Sequence, residues 1–240
     1  MNTIKFDDKG NIKMIAHRGV SGLERENTCP AFVAAGVKSY YGIETDVHVT
    51  KDGEIIVIHD DNLMRVAGVD MKVEESNFDD LRKVRLKDVD EVTERADLFL
   101  PTLEEYISIC KKYDKQAVLE LKNPMQKESV WKIADITKTL GWFERVTFIS
   151  FARENLLYLH EKYPNANAQF LSTHSADDDI KFVLDHRFDA DFCATFLTKE
   201  KVDVLKAAGK KVNCWTVNTL EQAAQMKAFG VDMITTNILE

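Results

Sequence analysis

Short apolar and β-branched runs recur along the chain. They are MIAH (14–17), GIETDVHV (42–49), EIIVIH (54–59), AVLELK (117–122), VTFISF (146–151), AQFLS (168–172), FCATF (192–196), KVNCWTV (211–217) and MITT (233–236). Each has the length and residue content of a strand. Between most of them lie stretches whose apolar positions recur with helical period, at 102–113, 128–140, 153–163, 178–187, 199–209 and 219–230. Thr102 and Glu105 have the spacing of a capping box, and Gly209 and Gly230 stand where helix C-termini favour glycine. Thr28 followed by Pro30 opens an earlier helix that runs to about Lys38.

Strand and helix alternate to the end of the chain, the pattern of βαβ units and a parallel sheet. One run breaks the alternation: DVHVT and EIIVIHD are separated only by KDG, a hairpin turn signal. Discounting the second hairpin strand leaves eight strands and seven helices, which predicts an α/β fold of the (β/α)8 TIM-barrel type. A doubly wound open sheet is the rival, weakened because no GxGxxG follows the first strand. The whole of 1–240 is expected to form one barrel domain, with a short insertion after the second barrel strand at about 61–100 and one short helix near 77–86. The given sequence reaches its last residues just after the eighth barrel strand. No eighth helix is expected, and the N-terminal segment is the candidate to cover that side.

Charge and composition narrow the partners. The net charge of −8 comes without a basic stripe, which argues against nucleic acid and against a polybasic membrane anchor. The N-terminal residues lack the apolar core of a signal peptide, and no apolar run reaches the length of a membrane span. The four cysteines are scattered with no CxxC pair, so reduced thiols in a cytoplasmic protein are expected and a zinc site is not. A barrel flank without its eighth helix leaves room for a homo-oligomer.

The informative residues are charged ones inside strands. Residues i and i+2 of a strand share a face, so Glu44 points with Asp46 and Glu120 points with Lys122, while His17 ends the first strand. In a barrel these strand ends converge, which brings His17, Glu44, Asp46, Glu120 and Lys122 to one small volume. A solvent-facing reading fails, because parallel strands are covered on both faces. Three crowded carboxylates repel and would hold protons unless a cation neutralises them. Oxygen-only ligands favour a hard ion, Mg²⁺ or Ca²⁺. His17 and His59 are the candidate proton-transfer groups. Arg18 and Gly19 follow His17, where a turning chain needs glycine and an anion would welcome a guanidinium. His48 shares the parity of the acids but lies further along, and its role stays open. His160, His174 and His186 read as packing or surface residues, as do Trp131 and Trp142 as packing. Trp215 is either a core aromatic or a wall facing a ligand.

These residues form a recognisable set. AHRG at 16–19, ENT at 26–28, E-x-D at 44–46, the KDG turn, HD at 59–60, PTLEE at 101–105 and E-x-K at 120–122 resemble the glycerophosphodiester phosphodiesterase family. So do ISF at 149–151, CWTVN at 214–218 and GVDMITTN at 230–237, and the resemblance runs from Ile15 to Asn237. It implies a barrel with an insertion after the hairpin and a divalent cation on Glu44, Asp46 and Glu120. It also implies His17 and His59 as the acid–base pair and a small glycerophosphodiester as substrate. Arg18 and Lys122 would face the phosphate and Trp215 would line the pocket. Asn27 joins these substrate-binding candidates, with Glu26 and Asn27 orienting His17 or the metal shell. The last strand ends TTN where many relatives read TD, and Asn237 is expected to lie outside the chemistry. The implied reaction is hydrolysis to glycerol 3-phosphate and an alcohol. Its rivals are a phospholipase D-like lyase forming a cyclic phosphate, a barrel aldolase with a Schiff base on Lys122, and a silent phosphate-binding protein.

Overall fold

The computed structural model describes residues 2–90 and 95–240. Among them, nine strands run Lys13–Ala16 (β1), Gly42–Val49 (β2), Ile55–Val57 (β3), Gln116–Leu121 (β4), Val146–Ser150 (β5), Asn167–Ser172 (β6), Asp189–Cys193 (β7), Val212–Trp215 (β8) and Met233–Thr236 (β9). Eight pair in parallel, in the order β1-β2-β4-β5-β6-β7-β8-β9. Pairing of β1 with both β2 and β9 closes the ring into a (β/α)8 barrel. β3 stands outside it, antiparallel to β2 with Val47 opposite Val57, as the KDG turn predicts.

Alternation along each strand divides the core in two. Outward residues such as Ile43, Val47, Leu119, Phe148 and Phe192 pack with Leu103, Tyr106, Val130 and other helix residues in one large apolar layer. Inward residues make only a small apolar plug of Ile15, Val118, Ile149, Leu171 and Met233. Burial between sheet and helices therefore holds the barrel together, and the interior beyond the plug is left to polar groups. The expected helix signals act as read. Thr28 accepts a hydrogen bond from the Ala31 backbone, Thr102 and Glu105 form a capping box, and Gly230 caps its helix with a φ of 89°.

Two features differ from the sequence expectation. The strand placed at 192–196 runs Asp189–Cys193 instead. Its inward positions are the acids Asp189 and Asp191, so apolar content misplaced it, and Phe196 lies beyond it, 43% exposed. The connection after the hairpin holds two short helices, Met64–Ala67 and Phe78–Lys83, rather than one. A single helical turn has no periodicity to detect. This segment packs Leu63, Leu81, Leu98 and Leu100 with Ile56 and Ile58 into a second apolar cluster; residues 91–94 of the expected insertion lie outside the described residues. After β9 the described chain forms no helix. Residues 4–6 pair there instead, with Phe6 N–H donating to the Glu240 carbonyl at 2.8 Å. Among the described residues no helix is long and apolar enough to cross a membrane.

Candidate active site

The parallel register pairs Asp46 on β2 with Glu120 on β4, and Glu44 lies two residues before Asp46 on the same face. All three side chains are buried, and each offers an oxygen within 4.8 Å of the others. Two cations attend them. Lys122 Nζ is 2.9 Å from Glu120 Oε1 and 3.7 Å from Asp46 Oδ1. The Arg18 guanidinium is 3.6 Å from Asp46 Oδ2, and the Arg18 backbone N–H donates to Glu44 Oε2 at 2.8 Å. The chain reaches this arrangement by a tight turn out of β1. Arg18 has a φ of 52° and Gly19 one of 77°, and a Cβ on Gly19 would fall 2.6 Å from the Ala31 backbone. Only glycine fits there. Asn27 donates to Asp46 Oδ2 at 2.7 Å, and Thr45 fixes that amide by donating to its Oδ1 at 2.7 Å.

Two positive groups do not neutralise three buried acids. Burial works to raise Asp46, but Arg18, Lys122 and His59 outweigh it and hold the carboxyl well below its ordinary range. Burial and then the Asp46 charge push Glu44 well above that range and Glu120 up to about 8. Asp46 Oδ1 is buried and makes no hydrogen bond. An all-oxygen trio with an orphaned oxygen and excess negative charge fits a hard divalent cation.

The two imidazoles have different partners. His17 Nδ1 lies 2.7 Å from Asn237 Oδ1, and its Nε2 lies 3.9 Å from Glu44 Oε2. Asn237, which the sequence reading placed outside the chemistry, thus touches a candidate catalytic residue. It is held in turn by Asn218, whose Oδ1 accepts from the Asn237 backbone at 2.8 Å. Burial, followed by the Arg18 charge, lowers His17 to about 4. His59 Nδ1 lies 2.7 Å from Asp60 Oδ1, and burial lowers this imidazole too, though the Asp46 charge and Asp60 oppose it. Asp60 is gripped by Arg65 through bonds of 2.7 and 3.0 Å. The same guanidinium donates to both Glu26 oxygens, and Glu26 Oε1 accepts from Arg18 at 2.8 Å. Arg65, from the insertion, therefore ties His59 to Arg18; its sequence position between two apolar residues carried no signal of this.

The remaining histidines fall outside this group. His48 is fully buried, with Nδ1 3.0 Å from Glu74 and Nε2 3.3 Å from the His59 carbonyl, so it fastens the insertion to the hairpin. His160 and His186 bond backbone carbonyls of Ala166 and Phe182, and His174 packs on Phe196.

His17, Arg18, Glu44, His59 and Glu120 line one side of a cavity of about 150 Å³ at the end of the barrel. Ile149, Phe151, Leu171 and Trp215 give the other side an apolar surface. Trp215 is both anchored and cavity-facing: its Nε1 donates to the Asp191 carbonyl at 3.0 Å, and Phe151 meets it edge-on at 5.7 Å. Asp46, Lys122 and Asn27 stand behind the lining and act on it through Glu120 and each other. Asp191 also lines the cavity, a residue the misplaced strand had hidden.

Comparison with known proteins accords with this geometry. The sequence profile of the Glycerophosphoryl diester phosphodiesterase family matches residues 17–240. A glycerophosphodiester phosphodiesterase of Bacillus altitudinis is 29% identical over 231 residues, which cover 94% of either chain. One of Caldanaerobacter subterraneus subsp. tengcongensis is 29% identical over 236 residues, 93% of either chain. Among solved structures, a glycerophosphodiester phosphodiesterase of Thermotoga maritima superposes with a TM-score of 0.73 at 25% identity, covering 94% of both chains. An Oleispira antarctica phosphodiesterase in complex with the product sn-glycerol-3-phosphate superposes with a TM-score of 0.85 at 23% identity, covering 94% of this chain and 92% of that one.

Proposed function

Since the chain belongs to the glycerophosphoryl diester phosphodiesterase family, we propose that it hydrolyses glycerophosphodiesters to glycerol 3-phosphate and an alcohol, using a divalent cation and paired histidines. The observation that carries this reading is the meeting of three buried acids, one with an orphaned oxygen, at the wall of a cavity that two imidazoles also line. Glu44, Asp46 and Glu120 would hold the cation, which when bound would polarise a phosphoryl oxygen and offset its charge.

The chain's own groups account for the rest. Arg18 lines the cavity beside the acids and would bind a phosphoryl oxygen, steadied by Glu26. Lys122 offsets the charge of Glu120 and Asp46 from behind. The unlike partners of the histidines suit unlike roles. His17 is buried, kept neutral and paired with an uncharged amide, which supports a role for its Nε2 in taking the proton of the attacking hydroxyl. His59 has the Asp60 carboxylate on Nδ1, which opposes the lowering by burial and would support the imidazolium as it gives a proton to the departing alcohol. Trp215 and Phe151 would give the bound substrate an apolar wall on the other side of the cavity.

The aldolase reading loses its nucleophile. Against burial, Glu120 and Asp46 raise the Lys122 amine above its ordinary range, the reverse of what Schiff-base formation requires. The test is release of free alcohol from a glycerophosphodiester such as glycerophosphocholine, with Mg²⁺ or Ca²⁺ present, and its loss in a chelator. No release across a panel of such esters refutes the function. Full turnover after exhaustive metal removal refutes the cation. Phosphorus NMR of the product separates hydrolysis from a lyase that stops at the cyclic phosphate.

A further inference from the structure

Asp191 has no task in the reaction above, yet it faces the same cavity. It lies on β7, across the barrel from β2 and its acids: four steps separate these strands in either direction around the ring. The side chain is 2% exposed and its Oδ1 has no hydrogen-bond partner. Its cavity neighbours Ile149 and Leu171 are hydrocarbons. On the next strand Asn213 is its register partner, but the Asn213 amide also donates to Thr235 Oγ1 at 3.0 Å. Burial pushes the Asp191 carboxyl up to about 8, so near neutral pH it is an uncharged acid with one O–H to donate and lone pairs to accept. Packing alone gives no reason for it, since a leucine there would avoid leaving a buried oxygen unpaired. Thr235, on β9, also lines the cavity. Three consecutive strands thus present a carboxyl, an amide and a hydroxyl in a row.

We infer that Asp191, across the barrel from the acid trio, and Thr235, on the strand that joins that wall to β1, form a hydroxyl-recognition face for the polyol end of the substrate. The inference rests on the phosphodiesterase reading and adds to it the source of substrate choice. An alcohol can both give a proton to Asp191 Oδ1 and accept one from the acid, which satisfies the orphaned oxygen. An alkyl group of the same size leaves it unpaired, and a site built to hydrogen-bond a hydroxyl rejects the analogue that lacks it. A cation would instead have to strip the proton from an acid that burial holds protonated.

The test is calorimetric binding of sn-glycerol 3-phosphate and of propyl phosphate, which carries the same phosphate without hydroxyls, in buffer containing Mg²⁺. Wild type should prefer glycerol 3-phosphate. Asp191→Leu should cut that preference about tenfold, the worth of one to two hydrogen bonds. Asp191→Asn, an isostere that still donates and accepts, should keep most of it. Thr235→Val reads the same face if Asp191→Leu does not fold, and should also lower the preference. Equal affinity of wild type for the two ligands overturns the inference, and so does a preference that survives in Asp191→Leu or Thr235→Val. Binding of choline that is lost in Asp191→Asn, with glycerol 3-phosphate unaffected, overturns it in favour of a cationic alcohol. Because binding needs no turnover, the two readings fail separately. A protein inert toward diesters that keeps the Asp191-dependent preference refutes only the reaction, and an active one without that preference refutes only this face.

Discussion

Adding Mg²⁺ or Ca²⁺ to chelator-treated protein should raise its unfolding temperature, and the rise should depend on pH in a direction that Glu120 sets. A ligand at a hundred times its Kd stabilises the state it binds by about 2.7 kcal/mol. For a chain of this length 1 kcal/mol moves the midpoint by about 2–4 °C, so the rise should be roughly 5–11 °C. Burial and the Asp46 charge raise Glu120 to about 8 and Glu44 well above its ordinary range. An acid raised in the folded state keeps its proton below that value, and an incoming cation must displace it. Each pH unit below 8 therefore costs roughly tenfold in apparent affinity for one displaced proton. The cation-induced rise should shrink from pH 8 to pH 6. Without cation the sign reverses: a raised acid favours the fold most at low pH, and that contribution is lost as pH climbs through 8. Glu120→Gln cannot gain the charge that Glu120 takes on as pH climbs through 8, so it should remove that loss of stability from the chelated protein and lose most of the cation response. Scanning calorimetry at pH 6, 7 and 8, with and without chelator, reads all of this. A rise that does not change with pH, or a Glu120→Gln variant that responds like wild type, would refute the reasoning.

Replacing His17 or His59 by alanine should lower turnover on a glycerophosphodiester by roughly 10²-fold or more, and a variant near the wild-type rate would lose its assigned role. Arg65→Ala should lower turnover by about tenfold with the fold intact, because Asp60 and Glu26 lose their shared anchor; Arg65→Lys should not restore it, since a single ammonium cannot grip two carboxylates bidentately. Burial works to raise Glu26, but its bonds to Arg65 and the Arg18 charge hold it at about 2. A lowered acid stabilises the fold above its ordinary value of 4.5, and that contribution is lost as pH falls toward 2. Wild type should therefore lose stability to urea faster than Glu26→Gln over that interval, and parallel curves would show the network contributes nothing.

The barrel was legible because its signal repeats. One misplaced strand in eight did not disturb the count, and the hairpin announced itself through KDG. The acids were legible for a different reason: burial on both faces of a parallel strand makes any charge there anomalous, so Glu44, Asp46 and Glu120 stood out from local parity alone. What stayed hidden were contacts that parity cannot reach. Parity says which face a side chain takes, not which neighbour it meets. Arg65 meets Glu26 across 39 positions of sequence, and Asp191 was lost because acids on the inward positions of β7 made the apolar stretch after it look like the strand.

Asn237 is the instructive case, because its contact follows from closure. A closed ring makes the first and last barrel strands neighbours, and here Ala16 on β1 is the register partner of Thr236 on β9. The residues that follow each, His17 and Asn237, must then leave the sheet side by side, although 220 positions separate them. Once a barrel is inferred, the end of its last strand is as much a part of the first strand's chemistry as the loop that follows it. The amide oxygen found there, where a carboxylate would have favoured the imidazolium more strongly, accepts from Nδ1, while burial and the Arg18 charge lower His17. That keeps its Nε2 lone pair available beside the acid trio, while the carboxylate that supports an imidazolium stands behind His59 instead.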